Sequence, residues 1–94
     1  ALASLQRAAE LVSADDGSTI ARAGEPADAV FLVRSGAIAC TVATGGGGER
    51  TLAFYKGNAT FGEHAVTTTD GKWPADYKAL MRSTLVKLPR RAFE

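Results

Sequence analysis

The sequence holds one cysteine, one histidine and one tryptophan, and each scarcity closes off a class of chemistry. Cys40 has no partner for a disulfide within the chain, and a lone thiol set in an apolar alternation behaves as a small hydrophobe. That favours a reducing compartment, and the expected location is cytoplasmic. With His64 alone, no cluster of thiols or imidazoles stands at metal-ligand spacing, so no zinc or iron centre is expected. No apolar run approaches the ~18 residues of a membrane span, and no membrane insertion by this segment is expected. An excess of charge is missing as well. Eleven Lys plus Arg against ten Asp plus Glu leave +1, and Arg90-Arg91 is the only adjacent basic pair, which speaks against a nucleic-acid partner. Ser4 and Ser13 lack a nearby partner base, so there is no nucleophile and no case for an enzyme.

What is present is the makings of one small β domain. Ninety-four residues fit a single domain, and 46% apolar with 22% charged residues is ordinary for a folded globular chain. Ten glycines point to short strands joined by tight turns. Leu5, Ala8, Ala9 and Val12 recur at helical spacing and predict an amphipathic helix over 3–12. Strands are predicted at 18–22, at 29–34, where Val30-Phe31-Leu32-Val33 reads as buried on both sides, and at 37–44, where Ile38, Cys40 and Val42 share a face. Gly45 to Gly48 reads as a hairpin loop into a strand over 49–55. A phosphate cradle would need a helix directly after those glycines, and Glu49 to Tyr55 looks like strand. Glu63 to Val66 reads as one helical turn and 67–73 as polar and irregular. Strands at 77–81 and 84–88 follow, and Pro89 to Phe93 opens a further helix. The sum is about seven short strands: a mainly β fold, a β-roll or jelly roll with flanking short helices.

Two stretches carry more than periodicity. From Ile20 through Gly24-Glu25-Pro26-Ala27-Asp28 and Val30 to Val33, as far as Gly36, the chain resembles the front half of the cyclic-nucleotide-binding domain family. Only Ala21 is off its pattern. Phe61-Gly62-Glu63-His64-Ala65-Val66 is similar to the opening of that family's phosphate-binding cassette, and Lys87 to Phe93 to the end of its roll. The resemblance spans nearly the whole chain and implies a single domain over 1–94. It also implies that hinge and lid helices should follow Glu94, so the chain is expected to be a fragment lacking the C-terminal lid helix.

The resemblance assigns roles to the cassette. A cyclic phosphate is held best by exposed N–H groups at a helix start together with an arginine that forms paired charged hydrogen bonds. Gly62 would let backbone approach the ligand, Glu63 would accept a hydrogen bond from the ribose 2′-OH, and Ala65 fits the small position of the cassette helix. The second half departs from the pattern. Counted back from Tyr77-Lys78-Ala79, the place of the phosphate-binding arginine falls on Trp73, and the small residue after it is Pro74, ahead of Ala75. Tryptophan brings no charge and proline no N–H. Charged hydrogen bonds contribute roughly 1.5–3 kcal/mol each. Losing two should weaken binding by about two to four decades.

Each of these residues has a plainer reading beside the functional one. His64 is a surface or cassette-lining side chain. Glu63 either meets a ribose or acts structurally, capping the short helix or pairing with a nearby Lys or Arg. Trp73 either packs the core and fills the pocket, meets a partner, or stacks on a base. Lys72 would stand in for the arginine as a point charge. The leading expectation is a non-catalytic regulatory or interaction module that binds cAMP or cGMP weakly or not at all and acts through protein partners or the rest of a longer polypeptide. The alternative is a working cAMP or cGMP sensor controlling a kinase, channel or other effector.

Overall fold

The computed structural model describes residues 9–63, 65 and 71–89. Eight strands form two four-stranded antiparallel sheets: β1 (Glu10–Ala14), β2 (Thr19–Ala21), β3 (Ala29–Ser35), β4 (Ala37–Ala43), β5 (Glu49–Lys56), β6 (Thr60–Phe61), β7 (Asp76–Ala79) and β8 (Ser83–Pro89). One sheet runs β1-β8-β3-β6 and the other β2-β7-β4-β5. Both are mixtures of sequence neighbours and distant partners, as expected of a roll in which the chain winds between two layers.

The core lies between the sheets. Phe31, Val33 and Leu85 face it from the first sheet, and Ile38, Cys40 and Tyr77 from the second, with Phe61 and Trp73 between them. The alternation predicted for β4 holds, since Ile38 and Cys40 are core residues and Val42 packs on them. β3 is covered on both sides at its middle, where consecutive Val30 and Phe31 are both buried. Gly45 to Gly48 closes the β4–β5 hairpin, and Thr44 N–H donates to Gly48 O at 2.9 Å.

Two elements differ from the sequence expectation. Residues 10–12, assigned to a helix, are strand, because β1 pairs along β8 from Glu10↔Lys87 to Ala14↔Ser83. The rest of that helix, up to residue 8, lies outside the described residues, as do the segments 66–70 and 90–94. The last turn also comes earlier than expected: β7 stops at Ala79, and Leu80-Met81-Arg82 turns into β8. Gly36 lets the neighbouring β3–β4 turn approach this one closely. Its φ is +94°, and a Cβ there would stand 2.6 Å from Ser83 Cβ and 2.7 Å from Ser83 Cα, so only glycine lets the β3–β4 turn lie on buried Ser83. The Ser83 hydroxyl accepts from Ala37 N–H at 3.2 Å and donates to Met81 O at 2.9 Å, locking both turns together.

Candidate functional site

The cassette begins where β6 ends. Phe61 pairs with Phe31 of β3, which carries the next residue, Gly62, alongside Ala29. Gly62 is buried and adopts φ +103°, a conformation that side chains other than glycine's disfavour. Beyond it Glu63 and Ala65 are helical; the Glu63 side chain is exposed and Ala65 belongs to the core. His64 lies outside the described residues.

A second segment closes over this start. Residues 71–73 are strapped by main-chain bonds to the 24–27 loop: Ala27 N–H donates to Gly71 O at 2.6 Å, Trp73 N–H to Glu25 O at 2.9 Å and Gly24 N–H to Trp73 O at 2.9 Å. These bonds fix which way the segment runs, with Lys72 exposed, Trp73 buried, Pro74 exposed and Ala75 buried. Lys72 forms an isolated bridge with Pro26 and no ion pair among the described residues.

The structure therefore brings Gly62 and Trp73 together. A Cβ added at Gly62 would stand 2.8 Å from Trp73 Cη2, 3.2 Å from Trp73 Cζ3 and 2.9 Å from Ala29 O. These neighbours are ring carbons and a carbonyl oxygen. The former form no hydrogen bond to an anion, and the latter repels one. Trp73 is held in this position by an aromatic cluster, with ring centroids 5.2 Å from Tyr77, 6.1 Å from Phe31 and 6.3 Å from Phe61. Phe61 in turn stacks on Tyr77 at 4.7 Å and meets Tyr55 at 5.2 Å. Centroid separations of roughly 4.5–7 Å are those at which aromatic pairs attract beyond simple burial.

The polar ends of this cluster converge. Burial first, then Cys40, Tyr55 and the Glu63 carboxylate push the ionisation of Tyr77 well above the usual phenol range. Tyr55 is raised too, by burial and then by Cys40 and Glu63. No cation is among the groups that act on either phenol. Two neutral phenols, a thiol and a carboxylate can exchange hydrogen bonds with one another, but they bring no positive charge to hold a phosphate.

Of the residues singled out by sequence, Gly62, Ala65, Trp73 and Ala75 are buried at or beside the cassette, while Glu63 and Lys72 stay exposed at its surface. Phe31, Tyr55, Tyr77 and Cys40 were not anticipated as part of it. Their inward positions on β3, β5, β7 and β4 follow from strand alternation, but their convergence depends on sheet pairing: Tyr77 opposes Cys40 across β7 and β4. A separate cleft of about 280 Å³, lined in part by Trp73, lies between β2 and Lys87 of β8. Its cations, Arg22 and Lys87, are matched by Glu25 and Asp28, and Arg22 already faces Glu25 at 3.7 Å. It is no better suited to an anion.

The model of the family described as "Cyclic nucleotide-binding domain" matches residues 11–94. No curated protein matches the chain. Among solved structures, the sensor domain of the transcriptional regulator DNR from Pseudomonas aeruginosa is similar over 98% of this chain and 61% of its own, at 28% identity and a TM-score of 0.91. In the longer DNR structure the same likeness covers 40% of that chain. A mutant regulatory subunit of a cAMP-independent protein kinase A from Trypanosoma brucei, bound to cAMP in its A site, is similar over 96% of this chain and 33% of its own, at 23% identity and a TM-score of 0.86. The last likeness is one of fold alone. The chain spans less than two thirds of the length of each of these structures.

Proposed function

Because the chain belongs to the cyclic-nucleotide-binding domain family, we propose that it is a non-catalytic regulatory module whose own cassette captures cAMP or cGMP poorly or not at all. In this reading it works by contacts within a larger protein or assembly, in the cytoplasm. The observation that carries the reading is the Trp73 ring lying against Gly62, where the family's cyclic phosphate would need charge and N–H donors. Burial of the indole weakens the cassette twice. It removes the expected cation, and it fills space with a ring whose displacement would open a hole in the core at roughly 3–5 kcal/mol. A cyclic nucleotide binding at micromolar strength gains about 8 kcal/mol. Displacement alone would consume around half of that. The resemblance of this fold to the sensor domain of a transcriptional regulator supports a regulatory rather than catalytic role. Among the described residues no helix is long and apolar enough to cross a membrane.

Calorimetric titration with cAMP and cGMP tests the reading. No saturable heat is expected at nucleotide concentrations far above those that fill a working cassette. Tight binding that Glu63→Ala abolishes would instead establish a nucleotide sensor, with exposed Lys72 as the substitute cation.

A further inference from the structure

Three of the five large apolar side chains that the described residues expose, Phe54, Leu80 and Met81, come together on one face, each between 48% and 61% exposed. Phe54, Leu80 and Met81 line a groove of about 560 Å³ with Gly36, Ala37 and Lys56. It sits on the outer side of the second sheet, at the end of the roll where Gly36 rests on Ser83 and Leu80 N–H donates to Ala37 O at 2.9 Å. The groove is well founded, because those backbone bonds and the Ser83 hydroxyl fix its floor. Contiguous exposed apolar surface of this kind marks a contact site more often than chance exposure does.

The charged residue that lines it is basic, while further along the same face Lys78 is paired with Glu49 at 2.9 Å. Lys56 lines the groove, Arg82 follows Met81 directly, and Arg34 precedes the Ser35-Gly36 turn; all three are exposed and none forms an ion pair among the described residues. No acidic residue lines the groove; Asp15 and Asp16 lie in the β1–β2 turn, whose Gly17 N–H donates to Ala79 O beside Leu80, at the edge of β7 away from β4 and β5. The occupant must therefore offer apolar side chains for the groove and carboxylates for its basic rim.

Two features say how it is presented. β5, the sheet's free edge, carries a bulge: Cys40 opposes Ala53 and Thr41 opposes Thr51, leaving Leu52 as the extra residue. Bulges of this kind protect an edge from strand addition. An amphipathic helix laid on the face fits better than a strand added to the edge. The groove is also remote from the points where the chain enters and leaves the roll, since Glu10 opposes Lys87 and Ala29 opposes Pro89 at the opposite end of β8 from Ser83. We infer that the groove formed by Ala37, Phe54, Lys56, Leu80 and Met81 docks an acidic amphipathic helix of a separate partner protein. The occupant rests on this face alone and not on the state of the nucleotide cassette.

Three helix-forming peptides with the same Leu residues at i, i+3, i+4 and i+7, flanked by Glu, Gln or Lys, serve as probes. Fluorescence anisotropy should show the Glu peptide binding at least ~10-fold more tightly than the Lys peptide, with the Gln peptide between them. The preference should shrink as salt is raised. Phe54→Ser with Leu80→Ser should abolish binding, and Lys56→Glu should reverse the charge preference; all three positions are exposed, so the fold should survive. Amide shifts in heteronuclear NMR should centre on Ala37, Phe54 and Met81. Equal binding of the Glu and Lys peptides, shifts confined to the outer edge of β5, or sedimentation showing that two copies of this chain cover the face would overturn the inference.

Discussion

Gly36 and Gly62 meet the same conformational demand and answer it with opposite chemistry. Both are at positive φ, and both lie so close to a neighbouring residue that an added Cβ would collide. At Gly36 the neighbour is Ser83, whose hydroxyl bonds to the backbone of both turns. At Gly62 it is the Trp73 ring, backed by Phe31, Phe61 and Tyr77. Close approach of the backbone is thus not in itself a sign of ligand binding. What faces the glycine decides. A hydroxyl makes a structural turn, whereas the indole against Gly62 is the feature on which the proposed weak nucleotide binding rests.

The largest expected effect removes the ring that sets the two glycines apart. Trp73→Ala should cost about 3–5 kcal/mol in urea unfolding, since a buried ring is lost from the aromatic cluster. A cost below about 1 kcal/mol would mean that the ring packs poorly and that the cassette is less filled than its geometry implies. Next, Gly36→Ala should cost roughly 2–4 kcal/mol, combining left-handed backbone strain with overlap against Ser83. Gly62→Ala should cost less, about 2–3 kcal/mol, because its contacts, with the Trp73 ring at 2.8 Å and Ala29 O at 2.9 Å, are less close than those with Ser83 at Gly36. The two sites then separate in a double-mutant cycle: Trp73→Ala should relieve part of the Gly62→Ala penalty and leave that of Gly36→Ala unchanged.

The smallest effect concerns pH. Tyr55 and Tyr77 both ionise above the usual 10.0 in the folded chain, chiefly through burial. Below pH ~10 both states hold the proton, and the stability that depends on the neutral phenols is fully present. Above it the unfolded chain releases protons that the fold retains, so stability should fall as pH rises from about 10. Tyr77→Phe should flatten that fall, at a cost of about 1 kcal/mol for the lost hydroxyl. An unchanged slope would mean that Tyr77 is not sealed within the cluster.

The same contrast marks how far the sequence could be read. The alternation of Ile38 and Cys40 and the turn glycines placed β4 and its neighbours, because those signals are local. β1 was hidden, since Leu5, Ala8, Ala9 and Val12 keep helical spacing while Glu10 to Ala14 are drawn into strand by pairing with the distant β8. β6, with only Thr60 and Phe61, is too short to show any period. At the cassette, counting from Tyr77-Lys78-Ala79 put the expected place of the family's arginine on Trp73. That its ring is buried between Phe31 and Tyr77 could not be read locally, because those two residues come from different sheets.

Trp73 is the only tryptophan, so its own emission reports whether the cassette opens. Fluorescence should be blue-shifted, as for a buried indole, and should stay so as cAMP or cGMP is added to millimolar levels. A saturable red shift with cyclic nucleotide, absent with the linear 5′-monophosphate, would show the ring giving way to ligand and would contradict the account.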